Sequence, residues 1–246
     1  MKLMEDIFLV GSGFQGFGIS NRFDCNVYLI DGGSEVALID TGSGLDPDKI
    51  IDNINRIGVE PEKIKKLFLT HAHADHAGGV HAFTNNFQSE VYLHEAEVDA
   101  LETADEEALA LSVAKLQGYY PPDYKLARTD VGFRLKGGEI LSVGKFNLEV
   151  IYTPGHSVGS VSYLLEHLDQ RILFSGDYIF LGGKVNLLNC IGSSLEQYRE
   201  HIHKLADLDL DCLMPGHFAF TLTNAQEHID LGIKALEGLL VPPMVL

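Results

Sequence analysis

The sequence is short of three things, and each shortage excludes a class of protein. It has three cysteines, Cys25, Cys190 and Cys212, widely spaced and without a CxxC pair, so neither a disulfide framework nor a structural zinc knot is expected. They read as buried small apolar residues. No stretch approaches the roughly 18–20 unbroken apolar residues of a membrane span, and the start, MKLMEDIFLVGSG, carries acidic residues where a secretory signal needs an apolar run. The expectation is a soluble, cytoplasmic chain. Basic residues are scarce as well: 18 Lys and Arg stand against 35 Asp and Glu, a formal charge of −17. Such a field repels polyanions, which argues against nucleic acid as a partner and for a small-molecule substrate.

What is present alternates strand and helix signals. The 246 residues, 46% of them hydrophobic, can bury a substantial core, and residues 1–246 read as a single domain. CNVYLID and EVALIDTG are β-branched apolar runs joined by Gly32-Gly33-Ser34, a hairpin pattern. In LDPDKIIDNINRIG, the residues Ile50, Ile51, Ile54 and Ile57 keep helical spacing as far as Gly58. IKKLFLT predicts a buried strand, GGVHAF a short helix, EVYLH a strand, and Glu95 to Gly118 a helical stretch. YYPPDYKLA is then a loop that clusters Tyr119, Tyr120 and Tyr124. Strands resume at EILSV, FNLEVIYT, VSYLLE, RILFSGD and DCLMPGH. Ser193 with Glu196, and Thr223 with Gln226, form capping boxes that open the last two helices. The order of strands, helices, strands, helices predicts an α+β protein, a four-layer αββα sandwich with two sheets face to face and helices outside. The apolar tail LLVPPMVL either packs back on its own domain or forms a homodimer interface.

Thr70 to Gly79 reads THAHADHAGG. His71 and His73 are two apart in an extended segment leaving a strand, so they point to one side and can converge on one ion. Asp75 and His76 follow where the chain turns into a helix, and can face a second. Grouping such side chains at the buried end of a hydrophobic strand costs desolvation, which a bound cation offsets. Three more donors stand at the ends of apolar strands: His156 in YTPGHSVGS, Asp177 in LFSGDYIF and His217 in LMPGHF. Each alone is an ordinary turn residue. Together they complete two sites: His71, His73 and His156 for one ion, and Asp75, His76 and His217 for the other, with Asp177 bridging. Each ion keeps an open position, as catalytic metals do. Histidine and carboxylate without thiolate suit two zinc ions, and also iron, manganese or cobalt. Water shared by two such ions is ionised near neutral pH, so the expected nucleophile is hydroxide, and no serine or cysteine is expected to act covalently. His81, His94, His167, His201, His203 and His228 read as surface or supporting residues.

THAHADHAGG, TPGHSVGS, LFSGDYIF and MPGH, with the early VALIDTG, together resemble the metallo-β-lactamase fold superfamily of metallohydrolases, in the same order and over nearly the whole chain. The resemblance implies an αββα sandwich with a binuclear site at the edge where the sheets meet. It gives Asp75 the further task of holding the bridging hydroxide, and Asp40 that of supporting the ligand loops. The ligand set resembles the glyoxalase II, lactonase and phosphodiesterase groups. Many true β-lactamases place a cysteine or serine where Asp177 stands. The GCGR-type segment of glyoxalase II has no counterpart in SGDYIFLGGKVNLLN, and with 29 residues after His217 its helical C-terminal domain is not expected here, so glutathione thioesters are not the expected substrates. The expected reaction is hydrolysis of a small ester, thioester or lactone, with Asp75 orienting the hydroxide and relaying the proton. Two other reactions suit the same branch: persulfide oxidation at a single iron, and phosphoester cleavage. Tyr178, Tyr119, Tyr120 and Tyr124 are candidate oxyanion or substrate contacts. The loops 14–23, 101–128 and 181–191 are the expected specificity determinants.

Overall fold

In the computed structural model, which describes residues 1–245, a seven-stranded sheet runs in chain order. Its strands are β1 (Lys2–Met4), β2 (Ile7–Gly11), β3 (Val27–Asp31), β4 (Val36–Ile39), β5 (Ile64–Phe68), β6 (Glu90–His94) and β7 (Phe133–Leu135). The pairing is antiparallel up to β4 and parallel from β4 to β7. Connection length decides this. The turn at Gly32–Ser34 can only join antiparallel neighbours, whereas parallel ones need a crossover. Helices supply it: α1 (Pro47–Arg56), then α2 (Ala74–Ala77) and α3 (Val80–Phe87), then α4 (Glu95–Thr103) and α5 (Leu111–Leu116).

The second sheet contains β8 (Ile140–Val143), β9 (Phe146–Tyr152), β10 (Val161–His167) and β11 (Gln170–Gly176), all antiparallel. After a small ribbon of β12 (Ile179–Phe180) and β13 (Lys184–Val185), and helix α6 (Leu195–His201), strand β14 (Cys212–Pro215) adds parallel to β11. Helix α7 (Ala225–Glu237) follows.

Side chains alternate across each strand, and this sorts them into three apolar layers. Between the sheets lie Tyr28, Ile30, Ile39 and Phe68 from the first, against Val150, Tyr163, Ile172 and Phe174 from the second. The opposite face of the first sheet, Leu29, Leu38 and Leu67, packs on Ile50, Ile54, Phe83 and Val98 of its helices. The opposite face of the second, Leu164, Leu173 and Leu213, packs on Tyr198, Ile202, Ile229 and Leu236. Each such fully buried side chain contributes roughly 1.5–3 kcal/mol. The four-layer αββα order is thus the one the strand patterns predict.

Local details depart from the sequence reading. The stretch 95–118 is two helices, because Ala104 and Ala110 take φ of 52° and 55°. Between them the Asp105 carboxylate accepts the N–H groups of Glu107 and Ala108, a local turn that competes with helix. Helix α6 is capped by Ser194, whose hydroxyl accepts from Gln197 N–H. Ser193 instead binds Leu188 N–H and Gly155 C=O. Helix α7 starts from Asn224 in the left-handed region without a side-chain cap. Among the described residues no helix is long and apolar enough to cross a membrane. Pro243–Val245 lies along β13: Val185 N–H donates to Pro243 C=O and Val245 N–H to Val185 C=O. Leu239, Leu240 and Val241 stay exposed.

Candidate metal centre

All seven expected donors stand just beyond the ends of four strands: β5, β9, β11 and β14. His71 Nε2 is 3.1 Å from His73 Nδ1, which is 2.9 Å from His156 Nε2. A few ångströms away, His76 Nε2 is 3.3 Å from His217 Nε2, and Asp75 Oδ2 is 3.0 Å from that same nitrogen. Asp177 lies between the two groups. Its Oδ2 is 3.7 Å from His156 Nε2 and 3.4 Å from His217 Nε2, and its Oδ1 is 3.4 Å from His76 Nε2.

The outer hydrogen bonds fix which nitrogens face inward. His156 Nδ1–H donates to Asn186 C=O at 2.8 Å, and His76 Nδ1–H to Asp40 Oδ2 at 2.8 Å. Thr70 Oγ1 donates to Asp40 Oδ2 and so accepts from His71 Nδ1–H at 3.0 Å. The Nε2 atoms of His71 and His156 are left with lone pairs aimed at the centre, and His76 Nε2 faces Asp177. The single proton that His73 Nδ1 can carry cannot satisfy both His71 and His156. Asp177 Oδ1 is buried with no hydrogen-bond partner. Converging lone pairs and an orphaned carboxylate oxygen are unfavourable alone and are what a cation satisfies. The donor set therefore fits divalent metal ions.

Electrostatics separates the two groups. Burial, reinforced by the neighbouring imidazoles, holds His71 well below its ordinary pKa, lowers His73 to about 3 and lowers His156. These three are neutral and ready to ligate. Burial also opposes charge at Asp75 and Asp177, but His76 and His217 outweigh it and hold both carboxyls well below the usual range. Reciprocally, the surrounding acidic groups overcome burial and raise His76 and His217. Cys25 and Asp40 lie on the outer side of His76. Burial pushes the Cys25 thiol up to about 12, which keeps it protonated and a poor ligand.

Residues 20–217 match the metallo-beta-lactamase superfamily. The chain belongs to that superfamily. It is 30% identical over 235 residues to the human acyl-coenzyme A thioesterase MBLAC2, covering 88% of this chain and 80% of that one. It is 29% identical over 163 residues to the hydroxyacylglutathione hydrolase GloC of Haemophilus influenzae, covering 65% and 69%. Among solved structures, the subclass B3 metallo-β-lactamase BJP-1 of Bradyrhizobium japonicum superposes with a TM-score of 0.73 at 22% identity, covering 96% of this chain and 90% of that one. At that identity the likeness concerns the fold. The thioesterase and hydrolase homologues support a hydrolase.

Around its donors this metallo-β-lactamase superfamily chain builds a polar scaffold. Asp40, at φ 61°, accepts Thr70 N–H on Oδ1 and Thr70 Oγ1–H on Oδ2, so one carboxylate fixes both His71 and His76. Asn186 Nδ2 donates to Asp177 Oδ2 at 2.9 Å. Glu97, which the sequence reading missed, is buried at the start of α4. Its Oε2 accepts Ala72 N–H at 2.7 Å and its Oε1 accepts Gly159 N–H at 3.0 Å. It thereby ties the His71–His73 segment to the His156 loop. Nothing in EAEVDAL marks Glu97; only its position on the buried face of the helix does. The glycines that close THAHADHAGG are also explained: a Cβ on Gly78 would sit 2.1 Å from Ser43 C=O.

Residues 155–159, GHSVG, which the sequence reading overlooked, fit the GxSxG spelling of serine hydrolases. Here they join two antiparallel strands rather than a strand and a helix, and Ser157 Oγ is buried against Ser160 Oγ at 2.7 Å. Among the described residues no imidazole bonds to it, and the general-base partner of a serine nucleophile is not in place. Tyr178 is fully buried, bonds to Tyr198 C=O and does not reach the site, which corrects its reading as a substrate contact. Tyr124 is buried and bonds to Ser43 C=O. Tyr119 and Tyr120 do line the cavity over the donors. Burial and the Asp75 carboxylate hold the Tyr120 phenol well above its ordinary pKa, so it stays a proton donor. Cys190 is half-buried in the same wall rather than in the core. The six remaining histidines are in none of the donor groups found among the described residues.

Proposed function

We propose that the protein is a hydrolase of acyl thioesters and related esters or lactones, working with two divalent metal ions, zinc first among the candidates. One observation carries the two-ion reading: Asp177 is placed between a three-histidine group and an Asp75–His76–His217 group, with one oxygen facing both and the other unpartnered. His71, His73 and His156 would hold one ion and Asp75, His76 and His217 the other, with Asp177 shared. Such a pair ionises water near neutral pH and polarises a carbonyl.

The chain's own residues supply the rest. Asp75 faces the cavity and is held ionised, so it can orient the attacking water and then receive and pass on its proton. The Tyr120 phenol, protonated and beside Asp75, can donate to the oxygen on which charge develops. Asp40, Glu97 and Asn186 keep the ligand loops from shifting. The thioester class is supported by the thioesterase and hydroxyacylglutathione hydrolase names of the relatives. The substrate is a small molecule, and residues 1–246 act as one domain.

Elemental analysis followed by a substrate panel tests this. Two metal ions per chain and anaerobic hydrolysis of acyl thioesters are expected, with turnover in Asp75→Asn reduced at least a hundredfold while the fold is kept. One iron per chain with oxygen consumption on a persulfide, or cleavage of phosphoesters alone, would overturn it.

A further inference from the structure

Two clefts meet at the donors, and they differ in chemistry. One, of about 240 Å³, runs past Asp75 and His217 to Arg22, the only Lys or Arg among the described residues lining either cleft. Arg22 is exposed and sits over the rings of Phe23 and Phe14, at 5.1 and 5.9 Å from their centroids. The other, of about 310 Å³, contains His73, His156 and Asp177, and is lined further by the segment that leads into and opens α5, by the loop after β13 and by the 244–245 tail. Leu109, Leu111 and Val113 stand on one side, with Leu187, Leu188 and Met244 on the other.

We infer that the second cleft is an acyl pocket, which takes an aliphatic chain carried on the scissile carbonyl, and that the segment Pro243–Val245 forms part of its wall. This rests on the hydrolase reading above. The cleft opens directly onto the donors, so a group bound in it is covalently continuous with the reacting carbon. Beyond the donors its lining is mainly aliphatic, with Asn189 and Gln117 as polar neighbours and, among the described residues, no Lys or Arg. A volume of this size is at the lower end of those that hold small ligands, enough for a medium-length chain. Thiol carriers are polar, so the leaving group suits the arm lined by Arg22, Asp24, Gln15 and Gln117, and the acyl group takes the aliphatic one. The tail belongs to this wall because it is pinned to β13 on both sides of Met244, through Pro243 and Val245.

The test measures kcat/KM for thioesters of one small thiol with acyl chains from acetyl to decanoyl, beside acetate thioesters of alkyl thiols of the same lengths. Calorimetry of acetate and decanoate binding runs in parallel. The acyl series should rise by up to about fourfold per methylene until the cleft is full, while the alkyl series stays nearly flat. Decanoate should bind more tightly than acetate. Val113→Asp and Met244→Asp replace side chains that are 40% and 47% exposed, so neither disturbs the core. Both should flatten the acyl series and weaken decanoate at unchanged metal content. A flat acyl series, an equal rise in the alkyl series, or decanoate no tighter than acetate would overturn the acyl pocket while leaving the hydrolase reading intact. Tight decanoate binding that both variants weaken, in a metal-loaded protein that hydrolyses no thioester, ester or lactone, would support the pocket and overturn the hydrolase reading instead.

Discussion

Asp40 Oδ2 and His76 Nδ1, 36 residues apart in sequence, meet at 2.8 Å in complete burial. The contact fixes the imidazole's tautomer and turns its other nitrogen toward Asp177 and His217. Asp40→Asn keeps the shape and tolerates the positive φ, yet it loses the charge. Metal affinity should fall about 10–100-fold at the Asp75–His76–His217 group, which Asp40 touches directly, and by less at the three-histidine group, whose His71 it reaches only through Thr70. Competition against a chromophoric chelator would resolve two unequal sites, and two undiminished sites would refute the role.

Glu97→Gln should be worse for stability than its similar shape suggests. The two backbone N–H groups of Ala72 and Gly159 need two acceptor oxygens, and an amide has one. Leaving the other N–H unpaired costs about 1–3 kcal/mol. Thermal denaturation of the metal-free protein should show a Tm lower by roughly 2–12 °C.

Gly78→Ala should fail to give stable protein, because its Cβ would press on Ser43 C=O at 2.1 Å with no side chain able to give way. Gly132→Ala is the control, since the nearest atom to its Cβ would be 3.7 Å away. Soluble yield and urea midpoints should separate the two variants by several kcal/mol.

Chelation should lower the Tm, because bound ions stabilise the folded state in proportion to RT ln(1 + [L]/Kd). It should also take up protons at neutral pH. His76 and His217 have raised pKa values without metal, so they reprotonate when an ion leaves, whereas His73 and His156, shifted down, do not. Titration in weak buffer reads this once the protons that the chelator itself releases on binding free metal are subtracted, and no net uptake by the protein would contradict it.

The layer order and the convergence of seven His and Asp side chains were legible because strand periodicity and strand-end motifs are local. Thr70 to His76 announces itself over a few residues. Glu97 does not, since a carboxylate at a helix start is ordinary until the fold puts Ala72 and Gly159 against it. Tyr178 misled for the same reason: adjacency to Asp177 in sequence says nothing about direction, and its ring turns to the helix layer. The break at Ala104–Ala110 was hidden because helix-favouring residues surround it and only the Asp105 side chain decides the turn. Met244 and Val245 escaped notice as cavity residues because their place depends on pairing with Val185.

The donors are drawn from both sheets, with His76 and His217 separated by 141 residues. Ions shared between the two sheets would therefore act as cross-links, closing a loop about as long as half the chain. Loop-closure entropy grows only slowly with length, but long-range closure is slow. Neither half of the protein can assemble the full centre by itself. Loading should then be a late event in folding, and the metal-bound fraction of a preparation doubles as a count of the chains in which the two sheets have docked.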